Sequence, residues 1–280
     1  METNIILAGV GGQGIVSISF VIDMAALKKG YCFKQAEVHG MSQRGGAVSS
    51  HLRVSDKPIH SDLVPRGKGT LVLSVEPLES LRHVEYLSPQ GILVSSTEPY
   101  VNINNYGDLS AILDAIVAMP SHVLIPAERL ARQAGTAKAQ NMVMLGAASP
   151  YLDLPDDLLE EGIRDAFARK GEKVQNVNVT AFRSGKAAGH AYLSMLNHGV
   201  RSKDARALIS RLVKGSLEDS AIEPWKSVFA GPLAADTLAF LESKTVGLIL
   251  GTDEAPKRLL NAASDPTAKD RLAELLFQAA

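Results

Sequence analysis

The feature that most restricts this chain is Gly9-Val10-Gly11-Gly12-Gln13-Gly14, set between the apolar run Ile5-Ile6-Leu7-Ala8 and a helical pattern from Ile15 to Leu27. That order of strand, glycine turn and helix opens a nucleotide-fold type of α/β domain. Gly9 permits the tight turn, Gly11 lets a ligand approach the backbone, and Gly14 lets helix and strand pack closely. The free N–H groups at the helix start then face whatever lies above the sheet. The same glycines serve equally to close strand on helix with no ligand at all.

A second stretch qualifies the first. In a dinucleotide fold the second strand ends in an acid that holds a ribose, about 20 residues beyond the glycines. Here the second strand (31–38) runs into Glu37-Val38-His39-Gly40-Met41-Ser42-Gln43-Arg44-Gly45-Gly46. Arg44 offers a planar fork for a phosphate, or for a carboxylate across an interface. Glu37 is placed to pair with Arg44 or to cap a loop amide. His39 titrates near neutrality but stands alone, as a loop histidine that hydrogen-bonds does. Ser42 has no accompanying acid and base, so it is not read as a nucleophile.

Apolar runs alternate with helical patterns up to about residue 200. Strands are expected at 4–9, 31–38, 47–54, 70–74, 91–95 and 122–125. Helices are expected at 13–29, 76–85, 108–118, 127–134, 141–151, 155–168 and 175–197. This describes an α/β, Rossmann-like fold whose mainly parallel sheet is flanked by helices. Asp108 and Asn141 are expected helix caps, Gly171 a helix stop, and the small run 145–149 a close helix contact. From 201 to 280 the texture becomes short amphipathic helices with one apolar run at 246–250, a C-terminal helical extension of unknown role. Charge does not mark that boundary, because the last 80 residues hold eleven basic and eleven acidic residues.

Composition narrows function by exclusion. A net charge of -1 over 280 residues leaves no general electrostatic footprint for nucleic acid or an anionic membrane. No run approaches the ~20 apolar residues of a membrane span, and a cytoplasmic setting fits. Cys32 is the sole cysteine, so the chain cannot ligate an iron–sulfur cluster by itself. It lies in an apolar strand and is expected to be buried and inert. His51, His60, His83 and His122 show no metal-ligand spacing, and no metal is expected.

The glycine turn, the Glu37–Gly46 stretch and Ser49–Arg53 together resemble the gamma domain of 2-oxoacid:ferredoxin oxidoreductases, most of all the indolepyruvate-type beta subunits. The resemblance extends through Glu76-Pro77-Leu78-Glu79-Ser80-Leu81-Arg82, the helix start at Asn141-Met142-Val143-Met144-Leu145-Gly146 and the segment Asn178–Gly185. It covers about residues 1–198, and the tail from about 201 lies outside it; the gamma-type domain is accordingly expected at 1–200 and the extension at 201–280. It implies that this chain holds no cofactor alone. Thiamine diphosphate, magnesium and iron–sulfur clusters are expected on a partner alpha subunit, through which ferredoxin is reached, with coenzyme A as cosubstrate. The implied reaction is oxidative decarboxylation of an aryl 2-oxoacid such as indolepyruvate to its acyl-CoA. Gly9, Gly11, Gly12, Gln13, Gly14 and Arg44 become candidate anion or coenzyme A contacts, and Glu37, His39 and Gln43 candidate interface residues. A free-standing nicotinamide or flavin oxidoreductase, and a scaffold subunit without catalytic residues, stay open on the residues alone.

Overall fold

The computed structural model describes residues 2–39, 45–101, 103–197, 199–210, 219–243 and 254–276. It divides into two compact units, Met1–Gly189 and His190–Ala280.

In the first unit, β1 (Glu2–Val10) leads through the glycine turn into α1 (Ile15–Lys28), followed by β2 (Cys32–His39), β3 (Ala47–Ser55) and β4 (Gly69–Ser74). Then come α2 (Pro77–Leu81), β5 (Leu87–Ser96), α3 (Leu109–Val117), β6 (His122–Ile125), α4 (Ala127–Ala134), α5 (Gln140–Ala148), α6 (Asp156–Ala166) and α7 (Glu172–Asn197), whose residues from 190 onward belong to the second unit. The six strands form one mixed sheet in the order β2-β3-β1-β4-β5-β6. The β1–β4, β4–β5 and β5–β6 ladders are parallel, whereas β3 pairs antiparallel with both β1 and β2. The expected α/β sheet with flanking helices is therefore present. β3 folds back between β1 and β2, so the strand after α1 does not lie beside β1 as it would in a simple βαβ unit.

Burial follows from strand position. β1 is central, and Ile5, Ile6, Leu7 and Ala8 are fully buried, as an uninterrupted apolar run requires when both sheet faces are covered. β2 is an outer strand with a single ladder partner. Its first residue, Cys32, is exposed, which overturns the expectation of a buried thiol. The apolar residues of β2 suggested a core strand, yet Phe33 and Val38 are exposed with it. α1 is apolar nearly all round: Ile15, Ile18, Val21, Ile22, Ala25 and Ala26 are buried, while Val16, Phe20 and Leu27 face outward.

Helix α5 crosses α7 at almost zero clearance, as the small-residue run predicts. A Cβ on Gly146 would lie 1.9 Å from the Phe182 carbonyl oxygen, and one on Gly185 would lie 1.8 Å from that of Val143. Asp108 caps α3 by accepting from Ser110 N at 3.1 Å. Gly171, at φ 86°, ends the turn before α7. Asn141, however, is not a cap: it lies inside α5 and is buried.

The second unit is helical among its described residues: α8 (Ser202–Ile209), α9 (Asp219–Ala230), α10 (Ala234–Ser243), α11 (Glu254–Asn261) and α12 (Leu272–Leu276). Within it Trp225 is buried and stacks on Phe229 with ring centroids 5.9 Å apart. The sequence reads the stretch around Trp225 as a Gly/Pro-marked connection and not a helix, because Pro224 sits inside what is α9. The apolar run 246–250 lies outside the described residues. Among the described residues no helix is long and apolar enough to cross a membrane.

Candidate functional site

The two sequence stretches meet. Gly11 N donates to the Gly46 carbonyl at 2.8 Å, and Gly45 N donates to the Gly11 carbonyl at 3.2 Å. Gly45 and Gly46 are thereby fastened to the glycine turn at the carboxyl end of β1, where open α/β sheets bind ligands. The antiparallel register of β3, with Ala47 opposite Val10, brings Gly45 and Gly46 there. Gln43 and Arg44 lie outside the described residues, and His39 is described by its backbone alone, as the last residue of β2. Glu37 is exposed on β2, and its carboxylate accepts from Gln35 Nε2 at 2.6 Å.

The turn itself is tightly determined. Gln13 is buried and clasps Val10 both ways: Val10 N donates to Gln13 Oε1 at 2.8 Å and Gln13 N to the Val10 carbonyl at 3.0 Å. Gly14 occupies the N-cap of α1 at φ 79°, a left-handed conformation suited to glycine. Its carbonyl accepts from Ser17 N at 3.0 Å and from the Nδ2 of Asn141 at 3.2 Å, so the sequence-distant Asn141 locks the turn onto α5. A Cβ on Gly14 would lie 2.4 Å from that Nδ2. No side chain caps α1 and no acid lies in its first turn, so among the described residues no carboxylate caps the positive end of the helix.

This end of α1 opens into a cavity of about 790 Å³. Its walls are Gly12, Gln13, Gly14 and Ser17, the segment Glu98–Tyr100 after β5, the stretch from Gly135 to Asn141, and residues on either side of the α7 start, including Asn178. Three lysines line it, Lys138, Lys170 and Lys173. None has a carboxylate partner among the described residues, and Lys170 rests over the Phe167 ring at 5.3 Å. The acids of the cavity are otherwise engaged. Glu98 accepts from Glu128 N at 2.5 Å and Arg129 N at 3.2 Å, capping α4, and its burial pushes the carboxyl up from the ordinary range despite those bonds. Glu128 pairs with Arg132. The resulting wall is positive and suited to phosphate.

A second buried carboxylate braces the same end of the sheet. Glu76 follows β4, caps α2 through Glu79 N at 2.8 Å and accepts from the Tyr106 hydroxyl. Burial, then the hydrogen bond to Glu76, raises the Tyr106 phenol. Among the described residues no group of three His, Cys, Asp or Glu side chains is gathered for a metal ion. The lysines escaped sequence reasoning because they are spread over two connections and resemble any solvated lysines. Glu98 carried no motif either.

Residues 4–188 match the family described as pyruvate ferredoxin/flavodoxin oxidoreductase. The chain belongs to that family. Among curated relatives of this oxidoreductase family, it is 37% identical over 197 residues to indolepyruvate oxidoreductase subunit IorB of Methanothermobacter thermautotrophicus, covering 67% of this chain and 98% of that one. It is 33% identical over 204 residues to the IorB of Thermococcus kodakarensis, covering 69% and 99%. Two solved structures share the fold. One is a 2-oxoglutarate:ferredoxin oxidoreductase from Magnetococcus marinus with 2-oxoglutarate, coenzyme A and succinyl-CoA bound (TM-score 0.55, 23% identity, 68% of this chain and 31% of that one). The other is the pyruvate oxidoreductase subunit PORC of Thermotoga maritima (TM-score 0.51, 22% identity, 66% and 94%). As an oxidoreductase of this family, the chain is an IorB-like subunit of a 2-oxoacid:ferredoxin oxidoreductase.

Proposed function

We propose that this chain is the beta subunit of an indolepyruvate-type ferredoxin oxidoreductase and that its cavity receives coenzyme A. The observation that carries the reading is the union, in one cavity, of the α1 start, which no side chain caps, with three lysines that have no carboxylate partner among the described residues. Coenzyme A brings a 3′-phosphate and a pyrophosphate, and Gly12, Gln13, Gly14 and Arg44 would join Lys138, Lys170 and Lys173 in meeting them. Gly9 and Gly11 shape the turn that presents those N–H groups. The bound coenzyme A of the Magnetococcus marinus relative supports the choice of ligand.

An alpha subunit carries thiamine diphosphate, magnesium and iron–sulfur clusters in this proposal. With one cysteine this chain lacks the thiolates for a cluster. The cofactor supplies the decarboxylation chemistry and ferredoxin takes the electrons, while this chain binds and orients the thiol cosubstrate. Glu37, His39 and Gln43 belong to the subunit interface. Val16, Phe20 and Leu27 on α1 and Phe33 on β2 are exposed apolar side chains that the alpha subunit covers in this proposal. Residues 1–200 constitute the gamma-type domain, and 201–280 an extension with a separate role. The cytoplasm is the proposed compartment.

The test is co-expression with a thiamine-diphosphate, cluster-bearing alpha subunit, followed by ferredoxin reduction assays with indolepyruvate, phenylpyruvate, pyruvate and 2-oxoglutarate. The complex is expected to prefer aryl 2-oxoacids and to require coenzyme A, and the isolated chain to be colourless and inactive. Turnover by the isolated chain, or turnover of the complex that ignores coenzyme A, overturns the proposal.

A further inference from the structure

Tyr100 is an aromatic ring on the cavity wall with nothing to do in the protein itself. It follows the pinned Glu98 and keeps 46% of its surface exposed. It has no ring partner, hydrogen bond or ion pair among the described residues. The segment is held at both ends: Thr97 N donates to the Ile125 carbonyl at 2.9 Å, Glu98 is fixed on the start of α4, and Tyr106 donates to Glu76. Between these anchors Val101 and Ile103 are exposed as well. A half-exposed aromatic ring, held next to the fixed Glu98 and turned to a cavity that three lysines also line, has the character of a binding wall.

Phosphates explain the lysines but not the ring. A flat π-face beside a phosphate-binding wall matches a purine base, because stacking satisfies the exposed ring while the lysines hold the charges. We infer that Tyr100 is the base-stacking platform of the cavity and determines its preference for an adenine-bearing thiol over the bare phosphopantetheine thiol. This rests on the coenzyme A reading and assigns to Tyr100 a specificity role that the lysines alone cannot supply. Lysine is a point charge without selectivity for a base.

The experiment compares the wild-type complex with Tyr100→Ala and Tyr100→Phe, titrating coenzyme A and 4′-phosphopantetheine by calorimetry and measuring the KM for coenzyme A. Tyr100→Ala is expected to weaken coenzyme A roughly ten- to a hundred-fold, the span of a lost base–aromatic stack. Tyr100→Phe should stay near wild type, since the ring and not the hydroxyl carries the contact. Neither variant should change phosphopantetheine binding. The salt dependence of coenzyme A affinity should also survive in Tyr100→Ala, because the lysines that generate it remain. If Tyr100→Ala binds coenzyme A like the wild type, or loses coenzyme A and phosphopantetheine equally, the stacking role is wrong while the coenzyme A reading stands. If the wild-type complex binds no coenzyme A, that reading falls and this inference falls with it.

Discussion

Asp23 offers a quantitative test of the α1–β2 packing. It sits on α1 with Oδ1 buried and without a hydrogen-bond partner among the described residues. Burial, with a smaller push from Glu37, raises its carboxyl from 3.8 to about 7. The unfolded chain ionises this group near 4, so between about pH 4 and pH 7 the folded protein holds a proton that the unfolded protein has lost. Folding stability contributed by the neutral acid is therefore present at low pH and is lost as pH rises through that window. A shift of roughly three units at ~1.4 kcal/mol each puts the full loss at about 4 kcal/mol, an upper figure because side chains and water relax around the ionised group. Asp23→Asn keeps the shape and removes the charge. Urea denaturation of wild type and variant at about pH 5 and about pH 8 isolates the effect, since the difference between them cancels the other titrating groups. The variant should gain on wild type by about 2–4 kcal/mol between the two conditions. A difference that is the same at both pH values would refute the argument and show that Asp23 ionises as an exposed carboxyl does.

Three further outcomes follow from the geometry. Gly146→Ala and Gly185→Ala each drive a Cβ into a carbonyl oxygen less than 2 Å away, so α5 and α7 must separate; each should cost about 3 kcal/mol or more in thermal or urea unfolding. At the turn, Gly14→Ala meets both a left-handed φ and the locked Asn141 amide, whereas Gly12→Ala, at φ 103°, meets open space; Gly14→Ala should be the more destabilising by about 1–3 kcal/mol, read by the same unfolding assay. Cys32, exposed at the start of the outer strand, should react with a thiol reagent in the native isolated chain without denaturant, and its protection on adding the alpha subunit would map the proposed interface.

The sequence by itself settled what depends on local chemistry. Alternating apolar and helical runs named the six strands and their order along the chain, because burial on a sheet demands a continuous or period-two pattern that is visible in one segment. Gly9–Gly14 located the turn, since a left-handed residue at a helix start calls for glycine. Asp108 announced its cap because the bond it makes is two residues away. Tertiary structure alone decided the rest. Cys32 reads as a core residue until β2 is found at the sheet's edge, for an apolar side chain cannot disclose whether a second strand will cover it. Asn141 reads as a cap until α5 is laid against Gly14, 127 residues earlier in the chain. Lys138, Lys170, Lys173 and Tyr100 have no shared pattern, and only the folding of separate segments around the start of α1 gathers them in one cavity. Local periodicity records how each segment meets the core, whereas a binding cavity is made by loops whose side chains are free of that periodicity.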